Sequence, residues 1–174
     1  LVLLPRVIVY SAFIPATLYL IGSAYLSYTG SLNYGPLFQI SDHYYSNHFW
    51  LLFDEKGQLL SFVDGMVTDE RDLTDAMYAQ AAMHDEKGAW QMIFGVNTLP
   101  SCRCHGYAGK LLEAAIADAR QQGRQGLVLT CKDKLLPYYA KFGFQNEGIS
   151  ASVHGGVTWY QMRLTFENEV CCLR

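Results

Sequence analysis

The sequence lacks an excess of positive charge: 13 lysines and arginines stand against 16 aspartates and glutamates, for a formal net charge of −3. A protein that binds nucleic acid needs a basic surface to neutralise phosphates, so the composition argues against a nucleic-acid partner. Apolar residues make up 51% of the chain and aromatic residues 14%, which excludes low-complexity disorder. We therefore expect one domain over residues 1–174 with a substantial core.

The sequence also lacks the even, regularly spaced set of cysteines that is typical of secreted disulfide-bonded domains. Its cysteines are Cys102, Cys104, Cys131, Cys171 and Cys172. We expect them to be reduced and the protein to be cytoplasmic. Cys102, Cys104 and His105 lie close together, but a structural zinc site needs a second pair of ligands, and none with suitable spacing is present. The sequence therefore predicts no bound metal.

Charge is absent between Arg6 and Asp42, and residues 7–28 are long enough to cross a bilayer. Pro15, Gly22 and the scattered serine, threonine and tyrosine residues argue against a membrane span. No basic region followed by a small-residue cleavage site is present, which argues against a signal peptide. We predict that this segment forms a buried strand and helix of the domain, with a membrane anchor as the alternative.

Two apolar runs, at 48–53 and 59–67, flank a short polar turn that ends in glycine. This arrangement predicts a β-hairpin. Residues 68–88 are polar and mixed in character, so we expect a loop with a short helix. Residues 90–97 form the next apolar run and predict a strand, in which Gly95 marks a bulge or a close backbone approach.

The clearest helical pattern runs from Tyr107 to Gln122, with small and apolar residues every three or four positions and charged residues on the other side. Gly123 is a stop signal for that helix. Residues 126–131 predict a buried strand, 134–141 a short helix and 157–166 a last strand. A strand, a helix and a strand in succession favour a right-handed crossover with parallel pairing. The fold class is therefore α/β with a mixed sheet.

The predicted strand and the long helix are joined by Arg103-Cys104-His105-Gly106-Tyr107-Ala108. A glycine-containing turn at the start of a helix leaves several backbone N–H groups without intrahelical partners. With the positive end of the helix dipole, these donors form a site for a pyrophosphate. A tight turn that binds no ligand is equally compatible with this string taken alone.

This string resembles the R/Q-x-x-G-x-G/A motif with which GNAT acetyltransferases hold the pyrophosphate of acetyl-CoA. Downstream, Cys131 to Phe144 read C-x-D-x-L-x-P-x-Y-x-x-F-G-F, which is similar to arylalkylamine (serotonin) N-acetyltransferases and their bacterial relatives. The resemblance covers residues 36–166, is most specific from Trp90 to Phe144, and leaves 1–35 atypical. It implies a three-layer fold whose mixed, mostly antiparallel sheet is splayed at the coenzyme site and flanked by helices.

The resemblance also implies transfer of acetyl from acetyl-CoA, as cosubstrate and without a metal, to a small primary amine or arylalkylamine by direct attack on the thioester. A monomer or homodimer is expected. Tyr139 matches the tyrosine that protonates the departing thiolate. The residues implied to bind the coenzyme are Val96, Asn97 and Thr98 beside the pantetheine arm, and Arg103, Cys104, His105, Gly106, Tyr107, Ala108 and Gly109 around the pyrophosphate. Those assigned to the acceptor side are His84, Thr130 and Trp159.

One departure from the family concerns the base that deprotonates the amine. Animal arylalkylamine enzymes carry two histidines on the fourth strand, where this sequence has Met92 and Phe94. An alkylammonium, with a pKa of about 10, must lose a proton before it attacks. His84, Asp64, Glu70 and ordered water all stay open as the route for that proton. The missing histidines also leave open a non-catalytic acyl-CoA-binding domain as the alternative function.

Overall fold

The computed structural model describes residues 2–4, 48–55 and 58–167. The strand and helix predicted within residues 6–28 lie outside these residues. The described part of the chain forms one sheet of seven strands, with two α-helices and several short 3-10 helices. The strands are β1 Val2–Leu4, β2 Phe49–Phe53, β3 Leu59–Thr68, β4 Trp90–Thr98, β5 Gly126–Cys131, β6 Gln145–Ile149 and β7 Tyr160–Thr165; the α-helices are α1 Tyr107–Gln121 and α2 Leu136–Ala140.

The strand order is β1-β2-β3-β4-β5-β7-β6. Only β4 and β5 pair in parallel; every other neighbouring pair in the described sheet is antiparallel. The parallel pair is joined through α1, which is the crossover that the sequence predicts. The structure thus confirms the mixed, mostly antiparallel sheet and the β2–β3 hairpin.

Helix α1 covers one face of the sheet. Its apolar stripe of Leu111, Leu112, Ala115 and Ala119 is buried, as the three- and four-residue spacing predicts. These side chains pack against strand residues of the same cluster, among them Val63, Ile93 and Leu127. Burying a leucine side chain contributes about 1.5–3 kcal/mol, so this stripe holds the helix at a fixed height on the sheet. The helix ends before Gly123, whose φ of 74° is in the left-handed region.

Residues 69–88 cover the opposite face. The predicted loop with a short helix is confirmed, and it contains two 3-10 helices, Asp75–Tyr78 and Ala81–Met83. Leu73 and Met77 insert from this segment into a second buried cluster. The strand residues of that cluster are Met66, Trp90, Met92 and Val128. The sheet is therefore the middle layer of three, in agreement with the predicted architecture.

A β-bulge interrupts the pairing of β3 with β4. Asp64 lies opposite Gly95, whereas the next residue, Gly65, lies opposite Ile93, so Phe94 is an extra residue on β4. A Cβ placed on Gly95 would lie 2.5 Å from Asp64 Oδ1. Gly95 thus lies both next to a bulge and at a close approach of the Asp64 side chain to the β4 backbone, the two structural features that a glycine within a strand predicts.

The sequence does not predict strand β6. Its residues are exposed or half-buried, and their sequence, QNEGI, has no apolar alternation. The strand is held by pairing with β7 and by Arg163, whose Nε donates to Glu147 Oε1 at 2.8 Å. β7 begins at Tyr160, later than the predicted start at Val157. Within the described residues, no helix combines the length and the apolar character that a membrane span requires.

Candidate active site

The site begins with a gap between β4 and β5. Their parallel pairing runs from Trp90 opposite Gly126 to Ile93 opposite Leu129. In the described part of the chain, the two strands do not pair with each other beyond Ile93 and Leu129. Both strands continue past that point, β4 to Thr98 and β5 to Cys131. The main chain of β4 after the bulge therefore faces an opening, which confirms the splayed sheet that the family resemblance implies.

The residues predicted to line the pantetheine arm lie on the open part of β4. Val96, Asn97 and Thr98 are all half-buried. They stay paired with β3 on their other side, Val96 opposite Val63. Backbone N–H and C=O groups that have lost one neighbouring strand are strong hydrogen-bonding groups that need partners. This edge can therefore pair with the amides of an extended ligand.

The loop before α1 has an unusual backbone. Gly106 is the N-cap of α1 with φ of 77°, and Cys104, which is not glycine, also has a positive φ of 63°. The cap makes no side-chain hydrogen bond to the first turn. Arg103, Cys104, His105 and Gly106 are exposed, and Tyr107, Ala108 and Gly109 are half-buried. The first N–H groups of α1 are therefore not taken by a cap, and the positive end of the helix dipole faces the loop.

Two interactions within the loop fix its shape. His105 Nδ1 lies 2.7 Å from the carbonyl oxygen of Arg103, and the His105 ring stacks on that of Tyr107 with centroids 5.6 Å apart. A hydrogen bond at that distance requires the proton on Nδ1. The loop is thus held in place by its own side chains, and its sequence neighbours on β4 and α1 bring it beside the gap. All seven residues predicted for the pyrophosphate lie together.

Tyr139 lies under the end of β5, on the face that α1 covers. It is 7% exposed and belongs to the cluster that contains Cys131 and Phe144. Burial raises the pKa of the Tyr139 hydroxyl above its ordinary value, so the group stays protonated at neutral pH. Burial also raises the pKa of the Cys131 thiol to about 11. Cys131 is therefore a neutral buried residue, as expected, and the Tyr139 hydroxyl, in the same cluster, keeps its proton at neutral pH.

Asp64 lies on the other face of the sheet at the same level. It is 6% exposed, and burial raises the pKa of its carboxyl group to about 7, against the lowering effect of a hydrogen bond with its own backbone. Phe49 on β2 and Gly95 on β4 are its partners across the sheet. Sequence reasoning included Asp64 only as one of several open alternatives, because burial of a single acidic residue in a strand leaves no periodic signal.

His84 lies near the start of β4, away from the gap. Its Nδ1 accepts a hydrogen bond of 3.2 Å from the N–H of Val67, and Val67 pairs with Gln91. Glu86 Oε2 lies 3.4 Å from His84 Nε2 and 3.0 Å from Nε2 of the buried His48. Sequence reasoning missed this cluster, because His48 and Glu86 are far apart along the chain.

The cluster has the composition of a metal site, since His48, His84 and Glu86 present ligand atoms that all lie within 4.8 Å of one another. The hydrogen bond from Val67 to His84 Nδ1 argues for a different arrangement. A neutral histidine that accepts at Nδ1 carries its proton at Nε2, where a metal would have to bind. Burial lowers the pKa of both histidines, which keeps them neutral. Both Nε2–H groups therefore serve as donors to the Glu86 carboxylate.

The predicted acceptor residues Thr130 and Trp159 lie near the end of β5. Thr130 is half-buried and pairs with Gln161 on β7. Trp159 Nε1 donates to the carbonyl oxygen of His154 at 2.8 Å, and Lys132 Nζ lies 5.8 Å from the centroid of the Trp159 ring. Trp159 thus orders the β6–β7 connection beside the end of β5.

That connection touches the segment over the second face. The Asp75 carboxylate accepts hydrogen bonds from the Ser152 hydroxyl, at 2.5 Å, and from the Val153 N–H, at 3.0 Å. The Tyr78 ring contacts Phe94 on one side, with centroids 4.5 Å apart, and His154 on the other, at 6.4 Å. Aromatic rings therefore extend from the bulge on β4 to the exposed hairpin, on the same face as Asp64.

The family model described as Acetyltransferase (GNAT) family matches residues 18–144. Serotonin N-acetyltransferase from Mesocricetus auratus is 28% identical to this chain over 110 residues, which cover 63% of this chain and 52% of that protein. The chain thus spans about half the length of this curated relative.

Solved structures share the fold at low identity. The loading GNATL domain of CurA from Lyngbya majuscula superimposes with a TM-score of 0.66 and 14% identity, over 87% of this chain and 92% of that one. A GNAT family acetyltransferase from Brucella melitensis, solved in complex with acetyl-CoA, has a TM-score of 0.54 and 19% identity, over 88% and 82%. Both confirm the three-layer α/β architecture.

Proposed function

Because the chain belongs to the GNAT family of acetyltransferases, we propose that it transfers an acetyl group from acetyl-CoA to a primary amine by direct attack on the thioester. The gap between β4 and β5 carries this proposal, since it opens beside a loop of exposed N–H groups. The acetyl-CoA complex of the Brucella melitensis structure supports the choice of acyl donor. The similarity to serotonin N-acetyltransferase supports an amine as the acceptor.

In this proposal the main chain does most of the binding. The free edge at Val96, Asn97 and Thr98 pairs with the amides of the pantetheine arm, and the loop from Arg103 to Gly109 holds the pyrophosphate at the start of α1. A strand N–H near Val96 stabilises the negative charge that develops on the thioester oxygen. Tyr139 protonates the leaving thiolate. Positioning the amine against the thioester supplies much of the remaining acceleration.

Calorimetric titration with acetyl-CoA, followed by free-thiol release with a panel of small primary amines, tests the proposal. We expect micromolar binding, about −8 kcal/mol, and thiol release that depends on the amine. Binding without release from any amine would favour the non-catalytic acyl-CoA-binding domain. No binding would contradict the assignment of the loop and of the gap.

Replacing Gly106 with alanine is expected to weaken acetyl-CoA binding about tenfold, because an L-residue in the left-handed region costs roughly 1–2 kcal/mol and the loop would relax away from its binding geometry. A Cβ at Gly106 meets nothing within 4 Å, so only the backbone conformation is affected. Calorimetry measures the change.

Gly123→Ala is the matched control. Gly123 has nearly the same φ, 74°, and equally open surroundings, but it lies at the opposite end of α1. It should show a similar loss of stability and unchanged affinity for acetyl-CoA. Equal affinity losses in both variants would show that the effect is one of general stability rather than of the loop.

A further inference from the structure

Asp64 is unusual because its carboxyl group is almost completely buried without a charged partner in the described residues. Aspartate is almost never this buried unless it is paired, because removing a carboxylate from water is costly. In the part of the chain that the structure describes, no cation forms an ion pair with it, and its own backbone is the only hydrogen-bonding partner that affects its pKa. Such an arrangement reduces stability and therefore calls for a function.

The position of Asp64 along β3 places it at the level of the gap. Its partner on β4 is Gly95, at the bulge that precedes Val96. Because Gly95 has no side chain, the carboxylate fits against the β4 backbone: Asp64 Oδ1 and Asn97 Nδ2 lie 2.5 Å and 3.0 Å from the point where a Cβ would stand. The space that a side chain on residue 95 would fill is therefore bordered by a hydrogen-bond acceptor, the Asp64 carboxylate, and a donor, the Asn97 amide.

The face on which Asp64 lies follows from strand alternation. Side chains on β3 alternate between faces, and Val63 belongs to the cluster under α1. Asp64 therefore points to the other face with Met66, and its cross-strand neighbour Phe49 packs against that second cluster. Tyr139 lies on the α1 face. A proton acceptor and a proton donor thus lie on opposite sides of the sheet, at the same gap.

We propose that Asp64 is the general base that takes the proton of the acceptor ammonium, directly or through one water molecule. This assignment rests on the proposed acetyl transfer. It places the amine on the face that residues 69–88 cover, the face on which Tyr78 contacts Phe94, and it leaves the α1 face to the coenzyme sulfur.

The protons balance in this scheme. The ammonium gives one proton to the Asp64 carboxylate and becomes the neutral amine, whose lone pair forms the new carbon–nitrogen bond. As the carbon–sulfur bond breaks, Tyr139 gives its proton to the thiolate, and the tyrosinate regains a proton from the new amide nitrogen. Asp64 then releases its proton to solvent. Ammonium and acetyl-CoA become amide, coenzyme A thiol and one proton.

The pKa of about 7 that burial confers on Asp64 suits this role, because a general base works best when its pKa lies near the operating pH. The other charged and titratable groups that the described residues place over this face are His154, the pair of Arg163 with Glu147, and the charged, histidine and tyrosine side chains of residues 69–88. Within the described residues, none of them is among the causes of the shift. The value thus follows from the burial of Asp64 itself.

The other candidates for the base are less well placed. Glu70 is exposed beyond the end of β3. His84 uses its Nδ1 lone pair for the N–H of Val67 and directs Nε2 at Glu86, so no basic nitrogen is left for an amine. Asp64 alone among the three alternatives lies opposite the bulge.

The test is the pH profile of kcat/KM for thiol release with the best amine of the panel. For the unchanged chain, kcat/KM should fall as the pH drops below about 7, where the carboxyl group becomes protonated. Asp64→Asn keeps the shape of the side chain and should lower kcat/KM about 10²-fold or more and remove that limb of the profile. Its affinity for acetyl-CoA should not change.

An acceptor amine of lower pKa distinguishes a role for Asp64 as general base from a purely structural role. With an analogue that carries two fluorines on the carbon beside the aminomethyl group, the pKa of the ammonium falls far below that of an ordinary alkylammonium, so at mildly alkaline pH the amine is largely neutral and needs no base. Asp64→Asn should therefore lose much less activity with this analogue. Asp118→Asn is the control, because Asp118 accepts a hydrogen bond from Trp50 Nε1 on the α1 face, and the asparagine oxygen preserves it. It should behave like the unchanged chain with both amines.

Thermal unfolding provides a readout without turnover. An unfolded aspartate ionises near the ordinary pKa of 3.8, whereas folded Asp64 ionises at about 7. Between these values the folded chain binds the extra proton, so stability falls as the pH rises. The Tm advantage of Asp64→Asn over the unchanged chain should therefore grow from pH 4 to pH 7. A constant difference in Tm would contradict the raised pKa on which the assignment depends.

The kinetic outcomes distinguish the two proposals. An unchanged chain that releases no thiol with any amine overturns the proposed function and the role of Asp64 with it. An active chain whose Asp64→Asn variant keeps the same pH profile overturns the role of Asp64 alone. Equal losses with the basic and the fluorinated amine would show that Asp64 only maintains the structure of the site.

Discussion

Replacing Tyr139 with phenylalanine is expected to lower kcat by about 10²–10⁴-fold while leaving acetyl-CoA affinity unchanged. The ring stays in place, since Tyr139 packs in an apolar cluster and its contact with Phe144, with centroids 6.1 Å apart, does not involve the hydroxyl. The variant loses only the proton donor for the thiolate. Steady-state thiol release measures kcat, and calorimetry measures the affinity.

Tyr138→Phe is the matched control for this experiment. Tyr138 precedes Tyr139 on α2, is half-buried, and contacts Phe142 with centroids 5.3 Å apart. Removing its hydroxyl should leave kcat nearly unchanged. If both variants keep full turnover, Tyr139 is not the acid; if both lose it equally, the loss reflects disturbance of α2.

Replacing Gly65 with alanine is expected to lower the free energy of unfolding by about 3 kcal/mol, the upper part of the usual range for forcing extra atoms into a packed interior. A Cβ at Gly65 would overlap the carbonyl oxygen of Met92, a backbone atom that cannot move without breaking the β3–β4 pairing. At roughly 2–4 °C per kcal/mol, Tm should fall by about 6–12 °C. Urea and thermal unfolding check both values.

Gly155→Ala separates steric overlap from backbone conformation. Gly155 has φ of 65° and open space where the Cβ would stand, so only the conformational cost of about 1–2 kcal/mol applies. Should Gly65→Ala prove no more destabilising than Gly155→Ala, the close packing of β3 against the bulge would be contradicted.

The elements that sequence alone predicts are those with a strong local pattern. Helix α1 follows from apolar spacing and ends shortly before Gly123, and the β2–β3 hairpin follows from two apolar runs around a polar turn. β6 could not be predicted in this way. Its exposed residues carry no pattern, and its stability comes from pairing with the following strand β7 and from the pairing of Arg163 with Glu147, contacts that only the folded chain forms.

The candidate site likewise has one part that the sequence predicts and another part that it does not. The loop around Gly106 and the position of Tyr139 are local strings and could be recognised directly. The burial of Asp64 depends on the bulge at Gly95 and on Phe49, neither of which is near it along the chain. The cluster of His48, His84 and Glu86 likewise forms only when β2 and residues 84–86 meet. Cross-strand contacts of this kind are set by register, which sequence patterns leave undetermined.

The insertion of β7 between β5 and β6 has a consequence for synthesis on the ribosome. β5 has β4 on one side, but its other neighbour is β7, which emerges only after residue 165 has been made. From the time the apolar run Gly126–Cys131 has left the ribosome until β7 follows it, that run presents an unpaired edge, the kind of surface on which chains associate with one another. A pause in translation before β7 would prolong that exposure, so the yield of folded protein should depend on how quickly the last described strand follows β5.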